Sequence, residues 1–174
     1  MTLPARGMRD RTTWSASFAA VAEAHLDDVY GYLVYLTKNP LLAEDLAADT
    51  FEKALRLWRR FDPRRASART WLCQIARTTA LDWFRAEERR HRREERAAPP
   101  DAVEVAFGEG LSPELEMALA SLSAGEREVI ALRVLLELDG DEAARVLGIS
   151  VTAVSTRLSR ALGKLEERMG HVTV

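Results

Sequence analysis

The chain has 174 residues, 47% hydrophobic and 30% charged, with a formal net charge of -2. That composition fits a soluble globular protein of one ordinary domain or two small ones. The sequence has no run of about 18 apolar residues to span a membrane and no apolar signal core at its start; its single cysteine, Cys73, rules out an intramolecular disulfide, and no Cys/His cluster has metal spacing. The expected compartment is the cytoplasm, and no cofactor is expected.

The small net charge hides a gradient. Residues 56–96 hold 13 arginines, no lysine and 6 acids, whereas residues 98–174 hold 7 basic and 13 acidic residues. An arginine-rich stretch in an otherwise acidic chain suits a local polyanion contact, and equally a solvated helix surface.

In chain order, residues 1–13 read as a disordered tail. Helical periodicity then predicts a helix over about 14–37, with Phe18, Val21, His25, Val29, Leu33 and Leu36 on one side. Asn39-Pro40 has the form of an N-cap followed by proline at the first helical position. The next helix is expected to run to about Arg60, with Ala43, Leu46, Ala47, Thr50, Phe51, Ala54, Leu55 and Trp58 inward and Glu44, Asp45, Asp49 and Glu52 on the other face. Phe61–Ala66 contains Asp62-Pro63 and reads as a turn. A long helix is expected from about Ser67, with Trp71, Leu72, Ile75, Ala76, Thr79, Ala80 and Trp83 inward; pairs of opposite charges extend it into the run Glu87–Arg96.

Prolines 99 and 100 and glycines 108 and 110 mark an acidic linker over 97–111. It separates a domain at 14–96 from one at 112–168, so the expected fold is all-α, in two small helical domains. The second opens on Ser112-Pro113-Glu114, an N-cap with a dipole-matched acid. Ser123…Glu126 is a capping box leading into Val129, Ile130, Leu132 and Val134, and Asp139…Glu142 is a related cap.

Asp139–Lys164 has helix-turn-helix spacing: small Ala144 where two helices cross, Gly148 where a tight turn needs a positive φ, and Val154 where the second helix packs back. Ser150 caps that helix, and Val154, Leu158, Ala161, Leu162 and Leu165 form its inner stripe. Ser155, Thr156, Arg157, Ser159, Arg160 and Lys164 then face outward. Such a helix fits the DNA major groove, where an arginine fork matches guanine O6 and N7. A plain helical hairpin with a polar outer face has the same pattern.

Taken together, AEDLAADTF (43–51), RTWLCQIART (69–78) with Asp82 and Arg85, LSAGEREVIALR (122–133) and VSTRLSRAL (154–162) resemble the extracytoplasmic-function sigma factors. The resemblance covers about Phe18 to Leu165 and implies two domains, sigma2 and sigma4. Sigma2 would hold the promoter -10 element through Arg64, Arg65, Ser67, Arg69, Arg77, Thr78, Leu81, Asp82 and Arg85. Sigma4 would read the -35 element with the outward residues of its second helix. Glu44, Asp45, Asp49 and Glu52 would meet the core RNA polymerase. The resemblance also implies a cognate anti-sigma factor, no membrane insertion, no obligate homo-oligomer and no enzymatic step. Departures stand at Ala48, where glutamine is common and a polar core contact would be lost, at Thr78, where asparagine is common, and at Ala143, where a larger aliphatic is usual. A stand-alone helix-turn-helix regulator and a sigma-like interaction adaptor are the competing readings.

Overall fold

The computed structural model describes residues 17–94 and 112–170. The tail at 1–13 and the linker at 97–111 lie outside the described residues. Eight α-helices are present among the described residues: α1 (17–24), α2 (Leu26–Thr37), α3 (Pro40–Leu57), α4 (Ala68–Glu94), α5 (Pro113–Ala120), α6 (Ala124–Ile130), α7 (Gly140–Leu147) and α8 (Val151–Gly170). No strand occurs among the described residues. The first four helices pack together, as do the last four.

The helix expected over 14–37 is broken at His25, which turns between α1 and α2. Its apolar residues still share one side: Phe18, Val29 and Leu33 are buried, and Val21 and Leu36 partly so. The cap between α2 and α3 forms as predicted, with the Asn39 side chain accepting from the Leu42 N–H at 3.1 Å and Pro40 opening the helix. Val29, Tyr32 and Leu33 of α2 meet Ala43, Leu46 and Ala54 of α3 and Leu72, Ala76 and Ala80 of α4 to make the first core.

The aromatic residues close one end of that core. A 3₁₀ turn at Trp58–Arg60 lays Trp58 flat on Phe61, with centroids 4.9 Å apart, while Phe18 meets Trp58 edge-on at 5.5 Å. Trp71 leans on Phe61 at 5.1 Å. These rings pack against one another, as the apolar stripe required. Leu55, one position past Ala54, falls outside the stripe and is exposed. Ala48 is exposed too, so no core contact is lost there. Cys73 is fully buried in α4, and burial pushes its thiol up to about 12.

In the second body, every predicted cap is made. Ser112 accepts from Leu115 N–H, Ser123 and Glu126 form a reciprocal box, and so do Asp139 and Glu142. The expected α6 stripe fails at one residue. From Ala131 to Leu135 the helix widens into a π turn, and Val134 and Leu135 rotate out to solvent. Gly148 adopts φ +67 and donates to the Ala144 carbonyl at 2.8 Å, ending α7 with a left-handed cap. Ala144 and Val154 are buried at the crossing, and Ser150 caps α8 through Ala153 N–H at 3.1 Å. Leu162 lies one position past buried Ala161 and is 46% exposed, so it leaves the inner stripe.

These positions should differ sharply on substitution. Leu132→Ala empties a fully buried site and is expected to cost about 2–5 kcal/mol, whereas Leu162→Ala should stay within about 1 kcal/mol. Gly148→Ala forces a Cβ into the left-handed region and should cost about 1 kcal/mol. Urea denaturation of the purified variants measures all three.

Candidate nucleic-acid interface

The second helix of the hairpin, α8, presents Ser155, Thr156, Ser159 and Arg160 to solvent. The other two expected contacts are more engaged. The Arg157 guanidinium lies over Gly125, where an added Cβ would stand 3.3 Å from its Nη1. Lys164 reaches Glu126 on α6 with Nζ–O distances of 2.7 and 2.9 Å. Glu126 is therefore shared between the α6 capping box and the root of α8.

On the first body, Arg64 and Arg65 stand exposed on the Asp62 turn, whose carboxylate and carbonyl accept their backbone N–H groups at 2.9 and 3.0 Å. Beside them is a recess of about 490 Å³ lined by Arg60, Phe61, Arg65, Trp71, Gln74 and, from the second body, Arg145. Arg69 turns inward instead, pairing with Asp28 of α2 at 2.8 Å. Thr78 is exposed, with its hydroxyl returned to the Gln74 carbonyl at 2.7 Å. Asp82 and Arg85 form an exposed pair at 3.3 Å, and Leu81 is half-buried in a crevice with Tyr35, Phe84 and Arg127.

The outer face of α3 carries Glu44, Asp45, Asp49 and Glu52, all exposed, with Glu52 paired to Arg56. Alongside runs an open groove of about 410 Å³, floored by Leu26, Tyr30, Ala47 and Phe51 and edged by Asp27 and Glu44. An acidic rim around an apolar floor suits a partner helix with basic and apolar residues.

The sequence reading missed the contact between the two bodies. α4 packs on α7, and α2 touches the π turn. Glu128 of α6, only 8% exposed, accepts from Tyr32 Oη at 3.1 Å and from Arg77 Nε at 2.7 Å and Nη2 at 3.3 Å. Glu142 of α7 accepts from Ser67 Oγ at 3.0 Å and Thr70 Oγ1 at 2.8 Å. Gln74 Nε2 donates to the Arg145 carbonyl at 3.0 Å. Burial opposes charge on Glu142, but the Thr70 hydroxyl, the Asp139 N–H and the Ser67 hydroxyl outweigh it and hold its carboxyl below the usual range. One signal was available in the sequence: Glu128 sits three and four positions before the buried Ala131 and Leu132, an acid set in an apolar stripe.

A helix-turn-helix body and a second helical body edged with arginine define, among the described residues, an all-helical protein with a nucleic-acid-binding class of architecture. The sequence profile of Sigma-70 region 2 matches residues 21–90, and that of Sigma-70, region 4 matches residues 112–165. The ECF RNA polymerase sigma factor SigC of Mycobacterium tuberculosis is 34% identical over 145 residues, 82% of this chain and 77% of that protein. The sigma factor RpoE of Bartonella quintana, solved with the anti-sigma factor NepR, shares the fold: TM-score 0.71, 24% identity, 91% of this chain and 97% of that one. CnrH, solved in complex with the cytosolic domain of CnrY, gives TM-score 0.66 at 26% identity over 90% of both chains. The chain belongs to the extracytoplasmic-function group of RNA polymerase sigma factors. It is an alternative sigma factor, which sets aside the stand-alone regulator. No described helix is long and apolar enough to cross a membrane.

The α6–α8 pair has a pH signature. The Lys164 ammonium, aided by the Ser123 N–H and against the effect of burial, holds the Glu126 carboxyl at about 2. An unfolded glutamate titrates near 4.3. The folded value is the lower one, so this stabilisation is complete above the unfolded value and is lost as the pH falls through about 2. Lys164→Met should lower stability by about 1 kcal/mol at pH 7 and by clearly less at pH 3. Urea titrations at the two pH values read the difference.

Proposed function

We propose that this chain binds core RNA polymerase through the acidic face of α3 and its neighbouring groove. It then directs the enzyme to promoters by presenting two DNA-binding surfaces. The body at 112–168 reads duplex DNA at the -35 element, with Ser155, Thr156, Ser159 and Arg160 against base edges and phosphates. Arg157 and Lys164 join them after leaving Gly125 and Glu126. The body at 14–96 holds the melted -10 strand along Arg64, Arg65, Ser67, Arg77, Thr78, Asp82 and Arg85, with Arg69 and Leu81 bracing that surface from within. The residues at 97–111 tether the two. The chain supplies recognition and strand holding, and the polymerase performs the synthesis.

The observation that carries this reading is the exposed polar face of α8, seated on a properly turned hairpin within a chain whose other body bears an acidic helix face. The recess beside Arg65 adds support, since its aromatic wall and guanidinium groups offer an unstacked base both stacking and polar contacts. Control by a cognate anti-sigma factor is supported by the likeness to the sigma factor RpoE, solved with the anti-sigma factor NepR. The proposed site of action is the cytoplasm.

Run-off transcription with bacterial core polymerase tests the reading directly: the chain should produce defined starts, and its failure to do so would overturn it. In that assay Glu44→Lys with Asp49→Lys should abolish association with core polymerase. Arg160→Ala should weaken promoter binding by about 1–3 kcal/mol. Raising salt from 50 to 200 mM should weaken it steeply as counterions are released.

A further inference from the structure

The recess beside the Asp62 turn carries more positive charge than one unstacked base requires. Its volume of about 490 Å³ falls within the range of small-ligand sites. Its apolar wall is built before any ligand arrives: half-buried Trp71 leans on Phe61 with ring centroids 5.1 Å apart, and Trp58 stacks on Phe61 at 4.9 Å. Three arginines edge it: Arg60 from the 3₁₀ turn, Arg65 from the following loop and Arg145 from α7. All three are exposed, and none makes an ion pair among the described residues. Asp62 also lines the recess, with a carboxylate oxygen accepting the Arg64 N–H at 2.9 Å. Gln74 Nε2 donates to the Arg145 carbonyl at 3.0 Å, a backbone contact that leaves the Arg145 guanidinium out of the bond.

A single strand brings one phosphate with each base. Three guanidinium groups gathered beside an aromatic wall match a planar base that carries several phosphates: the rings take the base face, and each arginine fork takes phosphate oxygens. We propose that the recess is a binding site for a free nucleoside triphosphate, with its base against Trp71 and Phe61 and its phosphates among Arg60, Arg65 and Arg145. The site draws on both bodies, because Arg145 belongs to α7 and the other two arginines flank the turn before α4. The base takes the place that the promoter reading gives to an unstacked DNA base, so nucleotide and melted strand exclude each other. That competition rests on the promoter reading; nucleotide binding itself does not. Nucleoside triphosphates are what RNA polymerase consumes, so occupancy of the site follows the supply of the enzyme's own substrates.

The test is isothermal titration calorimetry of the full-length chain, without polymerase, at low salt. ATP is expected to bind at one site per chain. Adenosine and inorganic triphosphate are each expected to bind at least about tenfold more weakly, since each offers only part of the match. Arg145→Gln is expected to weaken ATP binding about tenfold. That residue is exposed on α7 and its bond to Gln74 uses the backbone, so the fold does not depend on its guanidinium. Trp71→Leu removes the stacking surface and is expected to weaken ATP about tenfold, with circular dichroism confirming a folded chain. Arg168→Gln removes an exposed charge near the end of α8 and is expected to leave ATP affinity unchanged.

No binding of ATP to the unaltered chain would overturn the proposal. So would inorganic triphosphate binding as tightly as ATP, or an equal loss in Arg145→Gln and Arg168→Gln, since either reduces the effect to a general attraction between arginine and polyanions. ATP and a labelled single-stranded DNA of mixed sequence are expected to compete for the chain; binding of both at once would place the nucleotide outside the recess and overturn the proposal. Run-off transcription on the same preparations separates the two claims. A chain that binds ATP as expected but starts no transcripts with core polymerase leaves the nucleotide site standing and removes the promoter reading. A chain that starts transcripts but binds no ATP does the reverse.

Discussion

A carboxylate taken out of water must be met by donors or it costs several kcal/mol, and Glu128 meets its donors only across the gap between the two bodies. Nothing within α6 supplies them; Tyr32 comes from α2 and Arg77 from α4. The helix that carries Glu128 is therefore tied to the other body by electrostatic need as much as by shape. The requirement runs both ways. The charge on the Arg77 guanidinium is disfavoured by burial, and the bonds it donates to Glu128 more than offset this, raising its pKa. Tyr32 is pushed well above its ordinary range by burial first and by the neighbouring carboxylate second. Three groups that would be awkward alone become compatible as a set. The seam is mixed: the buried apolar residues of the two bodies form one cluster, and this charged set adds directional bonds to it.

The positive charge of the chain divides along similar lines. An arginine count over 56–96 suggests one continuous basic surface, but the fold assigns these side chains different duties. Arg69 braces α2 through Asp28, while Arg90 and Arg92 return to Glu87 and Glu88 along their own helix. Arg64 and Arg65 stand exposed on the turn, Arg65 beside the recess that Phe61 and Trp71 line, and Arg160 stands exposed on α8. What a polyanion would meet is a set of separate contact points with different geometries, and that favours selective contact over uniform coating.

How much of this was legible in the sequence depends on range. Asn39-Pro40, Ser112-Pro113, Ser123…Glu126 and Asp139…Glu142 were readable because a cap is settled by residues three apart. The spacing Ala144, Gly148, Val154 was readable because a tight turn and a close crossing restrict the residues that fit. The break at His25 was not, since the apolar positions from Phe18 to Leu36 keep their period across it. Val134 was misplaced because a π turn shifts the register without any sequence mark. The contacts between the bodies join residues 51 to 96 positions apart, and charged partners at that range leave no periodic trace. Glu142 shows the difficulty most clearly. One of its oxygens accepts from the Asp139 N–H at 3.1 Å, as the capping box required, and the other serves Ser67 and Thr70. A side chain fully accounted for by a local role was performing a distant one as well.

The buried sulfur of α4 has a consequence for how the protein can be informed of its surroundings. Burial pushes the Cys73 thiol up to about 12, so it stays protonated at neutral pH, and the thiolate is the form that oxidants and electrophiles attack. No other sulfhydryl exists in the chain. Cys73 is therefore a poor target for peroxides and disulfide exchange while α4 stays packed, and its reactivity is tied to the integrity of the first core.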